Sequence, residues 1–365
     1  MDRNSVILVT GAAGFIGSYM VGYLNRKGYY NIIIVDDFSE DEKKPNYIDK
    51  KIVARVERDE LFDWLDHNPV KVDFVFHLGA RTDTTEFDYS IHEKLNVEYS
   101  KNIWTYCIQK SIPLIYASSA ATYGRGEQGY KDDHDIVEKL KPLNPYGISK
   151  NEFDKWVIHQ IQNSFDLRLR RIAASAAELR TSSASALGGL PQALQNSGPP
   201  FWAGLKFFNV YGPNEYHKER MASVVFHAFN QVKNTGKVKL FRSHVPEYKD
   251  GEQLRDFIYA DDVAKIMYWM MNAFTIGHLS SGIYNVGTGK ARTFKDLARA
   301  IFNSMGMKPN IEYIDTPGDI RDKYQYFTEA EMSKLHKAGY NESFFSLEDG
   351  VDTYVKNFLL PHKYY

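Results

Sequence analysis

A single cysteine, Cys107, stands in 365 residues, so no intrachain disulfide can form and a reducing compartment such as the cytoplasm is expected. An excess of one charge is also missing. Lys and Arg total 45 against 46 Asp and Glu, a formal net charge of -1, which argues against a broad electrostatic grip on nucleic acid or membrane. No apolar run approaches the roughly 20 residues that a membrane-spanning helix needs. Met1 to Ser5 is polar, and Val6–Val9 reads as a short strand stopped at Thr10 and Gly11, so no secretory leader is expected. Internal repeats are absent. What is present is an ordinary globular balance, 43% hydrophobic and 25% charged, in a chain long enough for two domains.

Two periods alternate in the first half. Short apolar runs at Val6–Val9, Ile32–Val35, Phe74–His77 and Leu114–Ala117 are separated by helical stretches at Ile16–Lys27, Ile91–Lys110 and Tyr146–Gln162. Gly204–Val210 continues the series of strands. Strands alternating with helices predict an α/β fold, a doubly wound parallel sheet with a smaller mixed α/β substrate domain. The dinucleotide-type domain is expected over 1–208, with returning segments near 254–286, and the substrate domain mainly over 209–365. In the second half, Met221–Lys233 reads as a helix and Lys237–Arg242 as a strand, while Phe257–Tyr259 and Ile283–Val286 read as strands rejoining the first sheet. Thr293–Met305 reads as a helix, with Asp296 completing a capping box. From Arg168 to Pro200 the composition changes, with Ala, Ser, Leu, Arg and Gly abundant and no Lys or Tyr. The plain reading is a long surface loop with a helical turn; the sharper one is an insertion foreign to the fold, or a shifted reading frame.

Three glycines, Gly11, Gly14 and Gly17, join the first strand to the first helix. A turn without Cβ atoms lets the backbone approach a pyrophosphate, whose charge then sits at a helix N-terminus. The second strand ends in Asp36-Asp37, about 20 residues beyond, where an acid meets the adenosine ribose. The acid alone favours NAD, because it repels a 2′-phosphate. Lys43 and Lys44 follow closely and can reach such a phosphate. NADP is therefore the expected cofactor, with NAD the alternative.

Tyr146 and Lys150 lie four residues apart, one turn along a helix and on one face. A free phenol, with a pKa of about 10, is a poor base at neutral pH. A nearby ammonium and a cationic nicotinamide ring are expected to lower it. The strand Leu114–Ala117 runs into Ser118-Ser119, and Ser119 is placed to hydrogen-bond the reacting oxygen or, equally, to cap a turn. At the end of the third run, His77-Leu78-Gly79-Ala80 offers small residues beside a cofactor.

The GxxGxxG turn with the Tyr-Lys pair resembles the extended short-chain dehydrogenase/reductase superfamily, whose members act on nucleotide sugars. Arg255-Asp256-Phe257-Ile258-Tyr259, Asp261-Asp262-Val263 and Tyr284-Asn285-Val286-Gly287-Thr288-Gly289 are similar to that branch. Within it, the chain resembles the ADP-L-glycero-D-manno-heptose 6-epimerase family at Thr84-Thr85-Glu86, Ala117–Gly124, Phe208–Pro213, His217-Lys218, Met221–Val224, Phe226-His227, Tyr324-Gln325 and Phe327-Thr328. The resemblance covers nearly the whole chain apart from Arg168 to Pro200. It implies tightly held NADP, inversion at C6″ of an ADP-heptose, supply of L-heptose to the lipopolysaccharide inner core, and a homopentamer.

Carried over by position, cofactor contacts fall on Phe15, Ile16, Asp36, Asp37, Lys43, Arg58, Leu78, Gly79, Ala80, Arg81 and Thr82, and on Asn96, Lys150, Val210 and Lys218. Sugar-nucleotide contacts fall on Asn209, Arg220, His227, Phe241, Arg242, Ser243, His244, Arg255 and Tyr324. Arg220 stands where the family often has serine, and Arg58 where it usually has lysine. A catalytic set of Tyr146, Lys218, Ser119 and Lys150 follows, with Lys218 the second base and no metal. Two rivals remain. A dehydratase of the same branch carries an Asp-Glu pair just after the Ser/Thr, where this chain has Ala120 and Ala121. A non-catalytic NADP-binding regulator typically loses the Tyr or the Lys, and both are present.

Overall fold

The computed structural model describes residues 1–84, 86–181, 199–277, 279–321 and 324–365. Its first half alternates β1 (Ile7–Thr10), α1 (Phe15–Arg26), β2 (Ile32–Asp36), β3 (Ala54–Glu57), α2 (Leu61–His67), β4 (Phe74–His77), α3 (Tyr89–His92), α4 (Tyr99–Lys110), β5 (Leu114–Ser119) and α5 (Pro145–Thr181). Later come β6 (Trp202–Phe207), β7 (Asn209–Tyr211), β8 (Val238–Phe241), β9 (Leu254–Arg255), β10 (Phe257–Tyr259) and β11 (Gly282–Val286). Seven strands form one sheet in the order β11-β6-β5-β4-β1-β2-β3, and all six pairings are parallel. Every residue of β1 and β4 is buried, as expected for a sheet covered on both faces. Two apolar clusters form those faces, one around Ile7, Val9, Phe74 and Met267, the other around Leu8, Val75, Trp104 and Val157.

The chain runs outward from β1 through β2 to β3, then returns to place β4 on the other side of β1. At that reversal the loops after β1 and β4 leave in opposite directions, opening a crevice at the carboxyl ends of the strands. A third apolar cluster, made only of residues from Tyr211 onward, packs Val225, Phe229, Leu297, Ile301 and Val351 beside the sheet. The helix Phe294–Ser304 starts with the expected capping box between Thr293 and Asp296.

Four expectations need correction, and one strand was not expected at all. Phe257–Tyr259 does not rejoin the main sheet; β10 pairs with β7 in a two-stranded sheet, and only Ile283–Val286 returns, as β11 beside β6. Gly204–Val210 is not one strand, because the chain leaves the sheet at Phe208 and Asn209 begins the second ladder. Ile91–Lys110 is interrupted by a widened turn over Glu93–Glu98. The edge strand β3, with one buried residue in four, has too little apolar pattern to be read from sequence. The helix expected over Tyr146–Gln162 extends to Thr181, into the compositionally distinct stretch, and its remainder over 182–198 lies outside the described residues.

Candidate active site

Gly11 has φ +69°, and a Cβ there would stand 2.5 Å from the backbone nitrogen of Gly79. A Cβ on Gly17 would stand 2.1 Å from the Gly11 carbonyl oxygen. Glycine is thus required at both positions, where the turn after β1, the loop after β4 and the start of α1 meet. Gly14 caps α1 with no side-chain hydrogen bond, and the first turn carries no acid, so backbone N–H groups face the crevice. The Asp36 carboxylate accepts from Ala13 N at 2.8 Å, which ties the end of β2 to the glycine turn.

The crevice is a cavity of about 490 Å³. Gly11, Gly14, Phe15, Ile16 and Gly17 form its floor, and Leu78, Gly79, Ala80, Arg81 and Thr82 form one wall. Asp36, Asp37, Lys43 and Arg58 line one end, and Lys218 and Arg220 are also among the residues lining the cavity. Lys43 Nζ lies 3.7 Å from Asp36, and Arg58 Nη2 lies 3.9 Å from Asp37. Two acids and two cations thus share one end. The Asp36 carboxyl is held above its usual range by burial, against the pull of Lys43. A cradle that any Cβ would fill, ending in a ribose-type acid, fits a dinucleotide.

Asn96 is placed differently. Its side chain is fully buried, accepts from Arg81 N at 2.7 Å, and donates to Arg81 O at 3.0 Å and Ser149 Oγ at 3.0 Å. It clamps the wall of the cavity to α5. Thr85 lies outside the described residues.

The Tyr146 phenol is half-buried and hydrogen-bonded to the Ser119 side chain. Burial pushes its pKa up, and the Ser119 contact pulls it back only in part. The expected depression by a neighbouring ammonium is absent, because Lys150 Nζ instead donates to the Ala117 carbonyl at 2.8 Å. Burial lowers Lys150 itself to about 8, with Asp154 acting to raise it. Desolvation outweighs charge here, since the protein alone brings no cation against the phenol. Ser119 also receives Ala121 N at 3.1 Å, so it caps a turn and serves Tyr146 together.

Lys218 sits in a 3-10 turn, Tyr216–Met221, and its pKa is lowered by burial and raised by Glu215. Glu219 next to it has φ 44°, a left-handed conformation that costs a non-glycine residue energy and occurs often at functional sites. A second cavity of about 210 Å³ adjoins through Lys218 and Met221, which line both, and it also takes in Asn209, Val210 and Glu215. Sequence reasoning missed Glu215, whose carboxylate is fully buried and accepts from Ser223 Oγ at 2.7 Å and Tyr354 Oη at 3.0 Å.

Further along the chain, the guanidinium of Arg255 lies over the Tyr324 ring at 5.5 Å, and Tyr324 meets Phe241 edge-on at 5.8 Å. Arg255 is 8% exposed, and among the described residues no carboxylate pairs with it. His244 joins the group through Tyr326 Oη at 2.8 Å from Nδ1, a tyrosine that no motif had marked. Ser243 N donates to Asp250 at 2.9 Å, and its hydroxyl lies 3.5 Å from Tyr326 Oη. Arg242 turns to Asp315 at 3.1 Å, Arg220 to Asp83 at 2.9 Å, and His227 Nε2 lies 3.2 Å from the Arg220 carbonyl.

The model of the NAD dependent epimerase/dehydratase family matches residues 7–172 and 191–287, leaving 173–190 unmatched. An ADP-L-glycero-D-manno-heptose-6-epimerase of Fusobacterium nucleatum is 42% identical over 370 residues, covering 99% of this chain and 100% of the relative. The chain belongs to the ADP-L-glycero-D-manno-heptose-6-epimerase family. A protein of that name from Nitratidesulfovibrio vulgaris is 43% identical over 97% of this chain and 99% of its own. The crystal structure of the Helicobacter pylori member superposes with a TM-score of 0.72 at 26% identity, covering 99% of this chain and 97% of that one. The family's resident group is a nicotinamide dinucleotide, which the glycine cradle fits. Among the described residues no helix is long and apolar enough to cross a membrane, and no cluster of side chains could hold a metal ion.

Proposed function

We propose that the chain inverts C6″ of ADP-D-glycero-β-D-manno-heptose to give the L-glycero epimer, through transient oxidation of the C6″ alcohol to a ketone. Hydrogen on an alcohol carbon is not acidic, so direct deprotonation is closed to the enzyme. Loss of hydride from carbon and of a proton from oxygen leaves a planar ketone; return of hydride to the opposite face of the carbon, and of a proton to the oxygen, inverts the centre. The bound nicotinamide supplies a reversible hydride acceptor, so the same molecule serves every turnover.

The chain's own residues handle the proton and the geometry. Tyr146 takes the hydroxyl proton, and Ser119 holds the reacting oxygen and the phenol together. Lys150, one turn further along, fixes α5 to β5 through the Ala117 carbonyl. Lys218, which lines the cavity, serves the epimer whose hydroxyl points away from Tyr146. The Tyr146–Ser119 hydrogen bond, with Lys150 one turn further along α5, is the observation that carries this reading.

The finer assignments belong to the same proposal. Residues 1–208 carry the cofactor and 209–365 mainly the substrate, in keeping with a third apolar cluster confined to the later segment. Gly11, Gly14, Phe15, Ile16 and Gly17 hold the pyrophosphate, and Leu78 to Thr82, with Val210, flank the dinucleotide. NADP is favoured over NAD by Lys43 and Arg58, which stand beside the ribose-type acids. Arg255 and Tyr324, with Phe241 to His244, receive the ADP moiety, and Asn209, Arg220 and His227 the sugar side. The product would feed lipopolysaccharide core synthesis in the cytoplasm, from a homo-oligomer with five subunits. The test is direct: pure protein is incubated with ADP-D-glycero-D-manno-heptose and the product is read by NMR. Formation of the L-glycero epimer without added cofactor supports the proposal. Folded protein carrying dinucleotide that leaves the substrate unchanged refutes it.

A further inference from the structure

Behind the Tyr146–Ser119 contact lies the only fully buried ion pair among the described residues, Lys206 Nζ to Asp154 Oδ2 at 2.8 Å, with side chains 1% and 0% exposed. No cofactor or substrate reading uses either residue. Tyr146, Lys150 and Asp154 follow at intervals of four along α5 and therefore share one face. That face is clamped to β5 at consecutive residues. Asp154 Oδ1 accepts from Tyr116 Oη at 3.0 Å, Asp154 Oδ2 accepts from Ser118 Oγ at 2.7 Å, and Lys150 Nζ donates to Ala117 O between them at 2.8 Å. Lys206 lies opposite Ser118 in the β5–β6 register and also donates to Thr122 Oγ1 at 2.6 Å. Thr122 in turn donates to the Ser119 carbonyl at 2.8 Å. One path of hydrogen bonds thus joins the face that carries Tyr146 to the backbone of the serine it touches.

We propose that Asp154 and Lys206 are positioning residues that set the Tyr146 phenol against Ser119 for proton transfer. This rests on the reading of Tyr146, Ser119 and Lys150 as the acid–base group. An isolated buried ion pair is a poor source of stability, because the desolvation of two charges offsets their attraction, and apolar side chains of similar size often replace such pairs without loss. What the pair offers instead is direction. The carboxylate takes three donors, and the ammonium has two oxygen partners and the Tyr123 ring at 5.1 Å, so neither group can turn without leaving a buried partner unsatisfied.

The groups facing Lys150 are Asp154 on α5, His77 on β4, and Lys206 on β6 through Asp154. His77 is held neutral by burial, so Asp154 is the charge that acts on Lys150. In the intact pair, Lys206 offsets part of that carboxylate. Removing one partner or the other therefore pushes Lys150 in opposite directions, which a purely structural pair would not do.

Four variants are compared in full-length protein with its bound dinucleotide: Lys206→Met, Asp154→Asn, Asp154→Leu with Lys206→Met, and Lys206→Arg. The apolar double variant is expected to melt cooperatively and keep its dinucleotide. Its kcat should fall at least about ten-fold while KM changes less than about two-fold. The alkaline limb of the pH profile should move down in Asp154→Asn and up in Lys206→Met, with Lys206→Arg close to the parent. A double variant with parental kcat, or one that no longer melts cooperatively, overturns the proposal, as does an alkaline limb that stays in place in both single variants. Tyr146→Phe is run alongside. If it still inverts the sugar at the parental rate, the acid–base reading itself fails, whatever the ion pair does.

Discussion

The Lys218 ammonium lies 5.7 Å from the centre of the Phe15 ring, the first residue of α1. Lys218 belongs to the turn Tyr216–Met221, some 200 residues later in the chain, yet both line the cavity that begins at the glycine turn. By default a lysine in a His-Lys-Glu-Arg run is a solvated surface charge. Here it is half-buried, and desolvation lowers its pKa, against Glu215 and the ring face, which both favour the charged form.

If Tyr146 and Lys218 each serve one epimer, replacing either should abolish net inversion, since every turnover uses both half-reactions. Loss of a general base typically costs 10²–10⁴-fold, about 3–5 kcal/mol. Tyr146→Phe and Lys218→Met should each show such a loss in the NMR assay. A substrate analogue with an aldehyde at C6″ separates the roles. Its dismutation needs one oxidation and one reduction, so each single-base variant should lose that as well while still binding nucleotide. Parental rates in Lys218→Met would leave Tyr146 as the base for both faces.

How much of this was legible beforehand depended on how local the cause is. The glycine turn could be read because backbone crowding at Gly11 and Gly17 excludes every other residue, whatever surrounds it. The Tyr146–Lys150 pair was legible because helical spacing alone puts both on one face. The pairing of β10 with β7 was not, since three-residue runs carry no record of their partners. Asp154, Lys206 and Glu215 were invisible for another reason: in sequence, a buried charge looks like a surface one. The phenol's raised pKa likewise depends on burial, which only the tertiary packing decides.

Gly17→Ala should be far worse than an ordinary helix substitution. The added Cβ meets the Gly11 carbonyl oxygen at 2.1 Å, so α1 must move away from the turn that holds the pyrophosphate. Ala normally stabilises a helix by about 1 kcal/mol relative to Gly. Here the expected result is purified protein without nicotinamide nucleotide, measured in the heat-released supernatant, and a lower melting temperature. A stable variant that retains stoichiometric dinucleotide would show that the turn yields.

Lys43→Ala and Arg58→Ala should each weaken NADP more than NAD. A charge-assisted hydrogen bond contributes about 1.5–3 kcal/mol, so each should cost about 10–150-fold in NADP affinity by calorimetry on stripped protein. Asp36 and Asp37, freed of a neighbouring cation, then repel a 2′-phosphate. Equal losses for both dinucleotides would assign the two cations to the pyrophosphate or to the fold.

Excising 173–190, the stretch that the family match skips, and joining its ends with a short linker should preserve folding and bound dinucleotide. The matched motifs all lie outside it. Removing a core helix would cost several kcal/mol, much of the 5–15 kcal/mol of stability that domains typically have. Loss of cooperative melting would therefore mean that the stretch is structural.

The fully buried imidazole of His77 bridges β1 and α4, with Nδ1 2.7 Å from Thr10 Oγ1 and Nε2 2.8 Å from Ser100 Oγ. Burial lowers its pKa to about 3, assisted by the Lys150 charge. In the unfolded chain it titrates near 6.5. Above about pH 6.5 the ring is neutral in both states and stability is undiminished by it. Below that, the unfolded chain binds a proton that folded His77 refuses, so stability falls by about 1.4 kcal/mol per pH unit towards pH 3. Buried carboxyls with raised pKa, Asp36, Glu215 and Asp256 among them, act in the opposite sense, since folded protein protonates them first. The measurement is therefore a difference. Urea titrations of the parent and His77→Gln at pH 6.5 and 5 should show the parent losing about 2 kcal/mol more. Equal losses in the two proteins would mean that the folded protein admits the proton at His77.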